Sequence, residues 1–308
     1  IKQALQSVQS IRNKTFNQLI FKPTDKINLL NTDNKTDLQN TIKSKIENNI
    51  DFHILSYSNF DAQKVNNWIK KTIIKNGEDI AKKDLIIFNN NFKVEDANDP
   101  FSEPKRVFNG QFGTVTNVSD DLIVETITPK GKLPITLKYR EISILLKDTG
   151  HNATVLSLEN YRLSDKGELS EDEIIALKII LNREIKIAIS KYPFDNSELF
   201  GQLKNSKEYK ELENDISSLK VKLSNGEKVK TKLEETERKL RKIINSAKGK
   251  HRKTFEKNLN KDTSSKYYKY KNSAQLRFGW TLTVHKSMSY KWDEIIFNID
   301  QGENRGKT

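Results

Sequence analysis

The chain has 308 residues, of which 35% are hydrophobic and 31% charged, with a formal net charge of +13 and no cysteine. That composition excludes disulfides, thiolate catalysis and cysteine-based zinc sites, and His53, His151, His251 and His285 lie too far apart in sequence for metal-ligand spacing. The excess of cations points to an acidic polymer, with nucleic acid ahead of a membrane because no run is apolar enough to span a bilayer.

Taken in chain order, residues 1–21 have the periodicity of an amphipathic helix, followed by a short strand at Ile27–Leu30. Thr36-Asp37 leads a second helix in which Leu38, Ile42 and Ile46 recur at helical spacing. Phe52–Tyr57 is a strand, and Ser58-Asn59 breaks it and caps a third helix carrying Val65, Trp68, Ile69 and Ile73. Strand and helix in alternation predict a parallel α/β sheet, whose ligands sit at loops beyond the C-terminal strand ends.

The texture changes near Asp84. Leu85–Phe88, Thr114–Val118, Leu122–Glu125 and Ile135–Leu137 read as short strands at close spacing, which predicts a small barrel. From Ser170 to about Asn260 the chain reads as charged helix. Leu212, Ile216, Leu219 and Leu223, then Val229, Leu233, Leu240 and Ile243, form a heptad-like seam around a Ser224-Asn225-Gly226 turn, predicting an antiparallel helical hairpin. Its second half is strongly basic, which fits either a solvated face or a phosphate-tracking arm. Trp280–Val284 and Ile295–Ile299 then resume the α/β pattern around a polar turn, His285–Ser289.

Hydroxyls, a cation and turn amides at the end of one strand suit a phosphate. The run Gly279–Ser287, with Trp292–Ile296 after it, resembles motif V of superfamily 1 helicases of the RecD-like and Pif-like branch, whose pattern is T-x-H-K-S-Q-G before an apolar strand. Ile54–Asn59, running into Val65 and Asn66, resembles that family's strand-loop-helix element, and Arg106–Val115 resembles the N-G-x-x-G-x-V of its inserted SH3-like barrel. These matches occur in the family's order and cover about two thirds of the chain; the basic arm lies outside them. Met288 and Ser289 stand where the family has Gln and Gly.

The resemblance implies an α/β fold: a RecA-like parallel sheet flanked by helices (residues 1–84 and 270–308), interrupted by an SH3-like β-barrel (85–165) and a basic helical coiled-coil arm (166–269). It implies a cytoplasmic second motor domain in which Thr283, His285, Lys286, Ser287, Ser58 and Asn59 face single-stranded DNA, or RNA. ATP and Mg2+ would be held with an N-terminal RecA-like domain of the same polypeptide. No G-x-x-x-x-G-K-[ST] loop, acidic magnesium-binding pair or arginine-bearing motif VI is present, and the chain starts at Ile1, so it reads as a fragment with no catalytic or metal-ligating residue of its own. Two other readings stay open from the residues: a non-catalytic KOW-like barrel with a basic coiled coil that binds RNA or a ribonucleoprotein, and a coiled-coil scaffold that meets a protein. His285 and Lys286 read equally as a turn histidine and a surface lysine, and Ser58-Asn59 as a helix cap.

Overall fold

A computed structural model describes residues 35–95, 103–164, 167–287 and 290–297. The expected first helix and the strand at 27–30 lie outside these residues, as do Met288 and Ser289. What is described is a mixed α/β fold with a parallel sheet, a separate antiparallel sheet and flanking helices.

Helix α1 (Lys35–Glu47) buries Ile42 against strand β1 (Phe52–Ser56), with Leu38 and Ile46 packed beside it at the predicted spacing. Helix α2 (Asn59–Trp68) continues the chain, but the helical pattern does not run on unchanged to Ile73. Residues Ile69–Ile74 form a π-helical turn closed by Lys75, whose N–H donates to Lys70 O at 3.0 Å and whose φ is 59°. The widened turn keeps Ile69 and Ile73 inside and adds Lys70 to the interior, which a uniform 3.6-residue repeat does not anticipate.

Strands β2 (Leu85–Phe88), β3 (Phe92–Val94) and β4 (Lys105–Val107) follow, then β5 (Phe112–Ile127), β6 (Ile135–Leu146) and β7 (Asn152–Leu158). The two strands expected at 114–118 and 122–125 are one long strand. Its pairing with β6 shifts register between Val115 and Asn117 and again between Val118 and Leu122, so irregularities absorb the polar Ser119-Asp120-Asp121 without a turn. Helix α3 (Glu159–Leu163) leads to α4 (Glu171–Lys191), opened by a capping box between Ser170 and Glu173. Helices α5 (Glu198–Asn205), α6 (Lys207–Ser224) and α7 (Lys230–Leu259) form the arm, and the expected hairpin is present: Ile216 and Leu219 of α6 pack on Leu233 of α7. Gly226, with φ of 85°, makes the turn. Helix α8 (Lys266–Lys271), strands β8 (Leu276–Phe278) and β9 (Thr281–Thr283), the short helix α9 (Val284–Ser287) and strand β10 (Glu294–Phe297) complete the chain.

The parallel sheet has the order β10-β1-β9 and the antiparallel sheet β7-β6-β5-β2-β8. An isolated bridge joins the end of β7 to the segment just before β8: Leu158 N donates to Ala274 O at 3.0 Å, and Ala274 N to Leu156 O at 2.7 Å. The interior of the antiparallel sheet holds Ile86, Phe88, Val115, Ile142, Ile144, Val155 and Leu276. Strand β8 comes from the segment expected in the parallel unit yet pairs with β2, and two residues later the chain enters the other sheet as β9. The short run Leu276-Arg277-Phe278 suits either sheet, so no local signal marks the crossing.

Two helical glycines, Gly201 of α5 and Gly249 of α7, have no packing reason among the described residues. A Cβ at Gly249, within α7, would have nothing within 4 Å. Gly249→Ala is therefore expected to raise stability by about 0.5–1 kcal/mol through helix propensity alone, read as a higher urea midpoint at unchanged m.

Candidate nucleic-acid interface at a shared strand edge

Strands β1 and β9 run parallel with Ile54 opposite Thr281, Leu55 opposite Leu282 and Ser56 opposite Thr283. Both strands are short and buried along their whole length, as expected for a parallel sheet covered on its faces. Because their ends are level, the chain leaves the sheet twice at one edge, once into Tyr57-Ser58-Asn59 and once into Val284-His285-Lys286-Ser287. The Ser56 hydroxyl links the two exits, lying 3.3 Å from both Leu282 O and Ser58 O.

Ser58 is the N-cap of α2: its Oγ accepts from Asp61 N at 3.2 Å and donates to the Asp61 carboxylate. Asn59, the first residue of that helix, is exposed. On the other exit, Thr283 is buried and its Oγ1 accepts from Lys286 N at 3.4 Å, while the buried Ser287 donates to Val284 O at 2.7 Å. His285 is exposed. The half-buried Lys286 turns toward the antiparallel sheet and donates to Asn89 Oδ1. The six predicted residues thus gather at one edge with different availability. Asn59 and His285 face solvent and Ser58 partly so, whereas the hydroxyls of Thr283 and Ser287 are engaged locally.

The edge is electropositive from beneath. Burial pushes the Lys286 ammonium below the usual lysine range, and the Arg277 cation pushes it further. Arg277, on β8, is 5% exposed, with Nε and Nη2 lacking hydrogen-bond partners among the described residues, and its guanidinium lies 5.6 Å from the Tyr161 ring. Burial also lowers the Arg277 pKa. Two cations so placed favour an anion nearby.

Other residues fix the edge, and sequence reading gave them no role. Asn66 donates to Phe278 O at 2.8 Å and Thr281 O at 3.1 Å, and accepts from Thr281 N at 2.8 Å, clamping the turn between β8 and β9. A polar residue on the apolar side of α2, one turn after Ala62, was the available signal. The same turn is held by His53, whose Nδ1 lies 2.9 Å from Gly279 O. A Cβ at Gly279 would come within 3.2 Å of Ile86 backbone and the Phe112 ring, so a side chain there would have to push them aside by a few tenths of an ångström. Phe112 in turn meets His53 at 4.9 Å and Tyr290 at 5.4 Å between ring centroids, and Tyr290 donates to Gly110 O. The three segments that carry the family resemblance therefore touch one another. Beside the two exits, Tyr57 is 69% and Phe60 44% exposed, and Lys64 Nζ sits 4.2 Å from the Phe60 ring centre.

Among the described residues, no group of three or more His, Asp or Glu is placed to hold a metal ion. No protein-family model matches the sequence, and neither does any curated protein.

Proposed function

We propose that this chain is the second, RecA-like motor domain of an ATP-dependent superfamily 1 DNA helicase and grips a single strand along the edge shared by β1 and β9. One observation carries this reading: Ser56 and Thr283 are register partners on adjacent parallel strands, so the Ser58-Asn59 and His285 loops form one ledge. That is where open α/β sheets bind ligands. The contact between the Gly110–Phe112 segment and Tyr290 also supports it, and the five-stranded antiparallel sheet would correspond to the family's SH3-like barrel.

On this reading the Asn59 amide and the His285 ring donate to phosphate oxygens, and the buried Arg277 and Lys286 supply a positive field without direct contact. Tyr57 and Phe60 offer faces on which bases stack. ATP and Mg2+ would be held mainly by the N-terminal RecA-like domain, which supplies the phosphate loop and metal ligands, and closure of the cleft between the domains would alternate the grip. No phosphoryl-transfer step is assigned to residues of this chain. An ATPase assay with single-stranded DNA is accordingly expected to show no turnover from this chain alone.

The direct test is fluorescence anisotropy on a labelled single strand. Asn59→Ala with His285→Ala is expected to weaken binding about 5- to 150-fold, from two hydrogen bonds of about 0.5–1.5 kcal/mol each, without changing the melting temperature. Wild-type affinity in that double variant, or no affinity at low salt in the parent, rejects the ledge.

A further inference from the structure

We propose that Arg277, Asn89 and Lys286 form an enclosed site for one free tetrahedral oxyanion of the phosphate class, between the two sheets and separate from the ledge. Strands β2 and β8 pair with Ile87 opposite Arg277, and Asn89 N continues the pairing by donating to Gln275 O at 2.7 Å. Residues two apart on a strand share a face, so Arg277 and Asn89 rise from the same side of this sheet. It is the side on which Ile87 packs with Leu55 and Leu282 of the parallel sheet. From that second sheet, Lys286 of α9 reaches across and donates to Asn89 Oδ1. Three buried atoms of this group lack hydrogen-bond partners: Nε and Nη2 of Arg277, and Nδ2 of Asn89. All three are donors. A buried guanidinium without an acceptor is costly, and an ion is one of the few things that can satisfy it. Among the described residues no carboxylate acts on either cation: Tyr161 is the one group that favours the Arg277 charge, and the charge that Lys286 feels is that of Arg277.

The donors select the ligand. Nε–H and Nη2–H lie side by side on one edge of the guanidinium, a fork that matches two oxygens of a single anion. Asn89 Nδ2 and the remaining Lys286 protons serve a third oxygen. A carboxylate has no third oxygen and a halide cannot span the fork, so a tetrahedral oxyanion uses the whole set. Two positive charges without a carboxylate suit a dianion. The surroundings select a free ion over a strand. A Cβ at Gly167 would fall on the Arg277 guanidinium, so this glycine lies against the cation and closes that side. The unpartnered atoms are out of reach of solvent, whereas Asn89 and Lys286 as whole residues are half-buried. An ion therefore enters from their side, as Lys286 swings off Asn89. A phosphodiester, with a sugar on either side, is too bulky for that enclosure.

The experiment is a calorimetric titration of the full chain with inorganic phosphate, at constant ionic strength in chloride, with melting temperature as the second readout. The parent is expected to bind phosphate at one site and to melt about 2–4 °C higher at ten times the dissociation constant. Phosphate also stabilises proteins by exclusion from their surface, so the variants carry the test. Asn89→Asp keeps the side-chain shape and sets a carboxylate beside both cations. It should melt higher than the parent in chloride and bind phosphate about tenfold more weakly or worse. Arg277→Met removes an uncompensated charge, so it should fold in chloride and lose phosphate binding by about tenfold or more. Dimethyl phosphate, a diester like the link in a strand, should not compete with phosphate. Asn59→Ala/His285→Ala should keep the parent's phosphate affinity, so this site and the ledge can fail separately. The proposal is overturned if the parent gives no heat of binding, or if Asn89→Asp or Arg277→Met binds phosphate like the parent. Loss of phosphate binding in the ledge variant, or competition by the diester, would overturn it as well.

Discussion

Removing one member of the Lys70–Asp84 pair, by Lys70→Met or Asp84→Leu, is expected to destabilise the protein by about 3–5 kcal/mol, the largest effect of any single change considered. The two side chains are 0% and 1% exposed, with Nζ 2.5 Å from Oδ2. Burial pushes the Lys70 pKa down and the Asp84 pKa up, and in both cases it outweighs the attraction of the partner. The pair is thus an expense already met by the rest of the fold, and a lone survivor would be a buried charge with nothing opposite. Asp84 also accepts from Ala81 N at 2.7 Å, and its own carbonyl accepts from Val115 N at 2.9 Å, so the pair joins the π-helical turn to the antiparallel sheet. The double variant Lys70→Met/Asp84→Leu should recover at least about 2 kcal/mol relative to either single change, stopping short of a gain because the Ala81 N–H loses its acceptor. Urea unfolding of the four proteins at neutral pH decides it. Single variants within about 1 kcal/mol of the parent would mean that water reaches the pair.

Why that pair escaped sequence reading shows where local pattern stops. The short apolar runs at Phe52–Ser56, Leu85–Phe88 and Thr281–Thr283 announce strands because β-branched and aromatic residues cluster between turn formers, and the arm announces itself by its leucine seam. The Ser58 cap is legible because its hydroxyl acts on an amide three residues away. Lys70 is different: its partner lies 14 residues on, across a π-helical turn that changes the helical phase, and a lysine among isoleucines reads as surface. Arg277 is hidden in the same way within a strand whose three residues are all buried. The passage from β8 to β9 between sheets depends on Asn66, His53 and Gly279 meeting a turn more than 200 residues distant from the first two. The gathering of the predicted site residues at one edge was foreseeable from strand order in a parallel sheet. Which of their hydroxyls are engaged by neighbouring backbone was not, because that is decided by the geometry of a four-residue helix.

His53 makes the β9 edge sensitive to acid. Its side chain is 2% exposed, between Phe112 at 4.9 Å and Trp292 at 4.6 Å. Since Gly279 O can only accept, Nδ1 must carry the proton in the neutral ring. Burial lowers the pKa from 6.5 to about 4, against the smaller raising effects of the Gly279 bond and of Asp51, which itself lies 3.3 Å from Lys147. A depressed histidine pKa means that the unfolded chain binds more protons than the folded one between about pH 4 and 6.5. Stability therefore falls as pH drops through that window and is unaffected by this group above it. A shift of about 2.5 units corresponds to about 3 kcal/mol lost by pH 4. Carboxylates also titrate there, so the informative quantity is a difference. His53→Asn keeps a donor near Gly279 O and removes the titration. It should be less stable than the parent at pH 7 through lost ring packing, yet lose about 2–3 kcal/mol less on going to pH 4. Because the buried ring that resists charging anchors the turn that sets the end of β9, exchange of the Thr281 amide, which donates to Asn66 Oδ1, should quicken in the parent within the same pH window once corrected for intrinsic rates. Parallel stability-versus-pH curves for parent and variant would show instead that His53 takes up its proton as readily in the folded protein as in the unfolded chain.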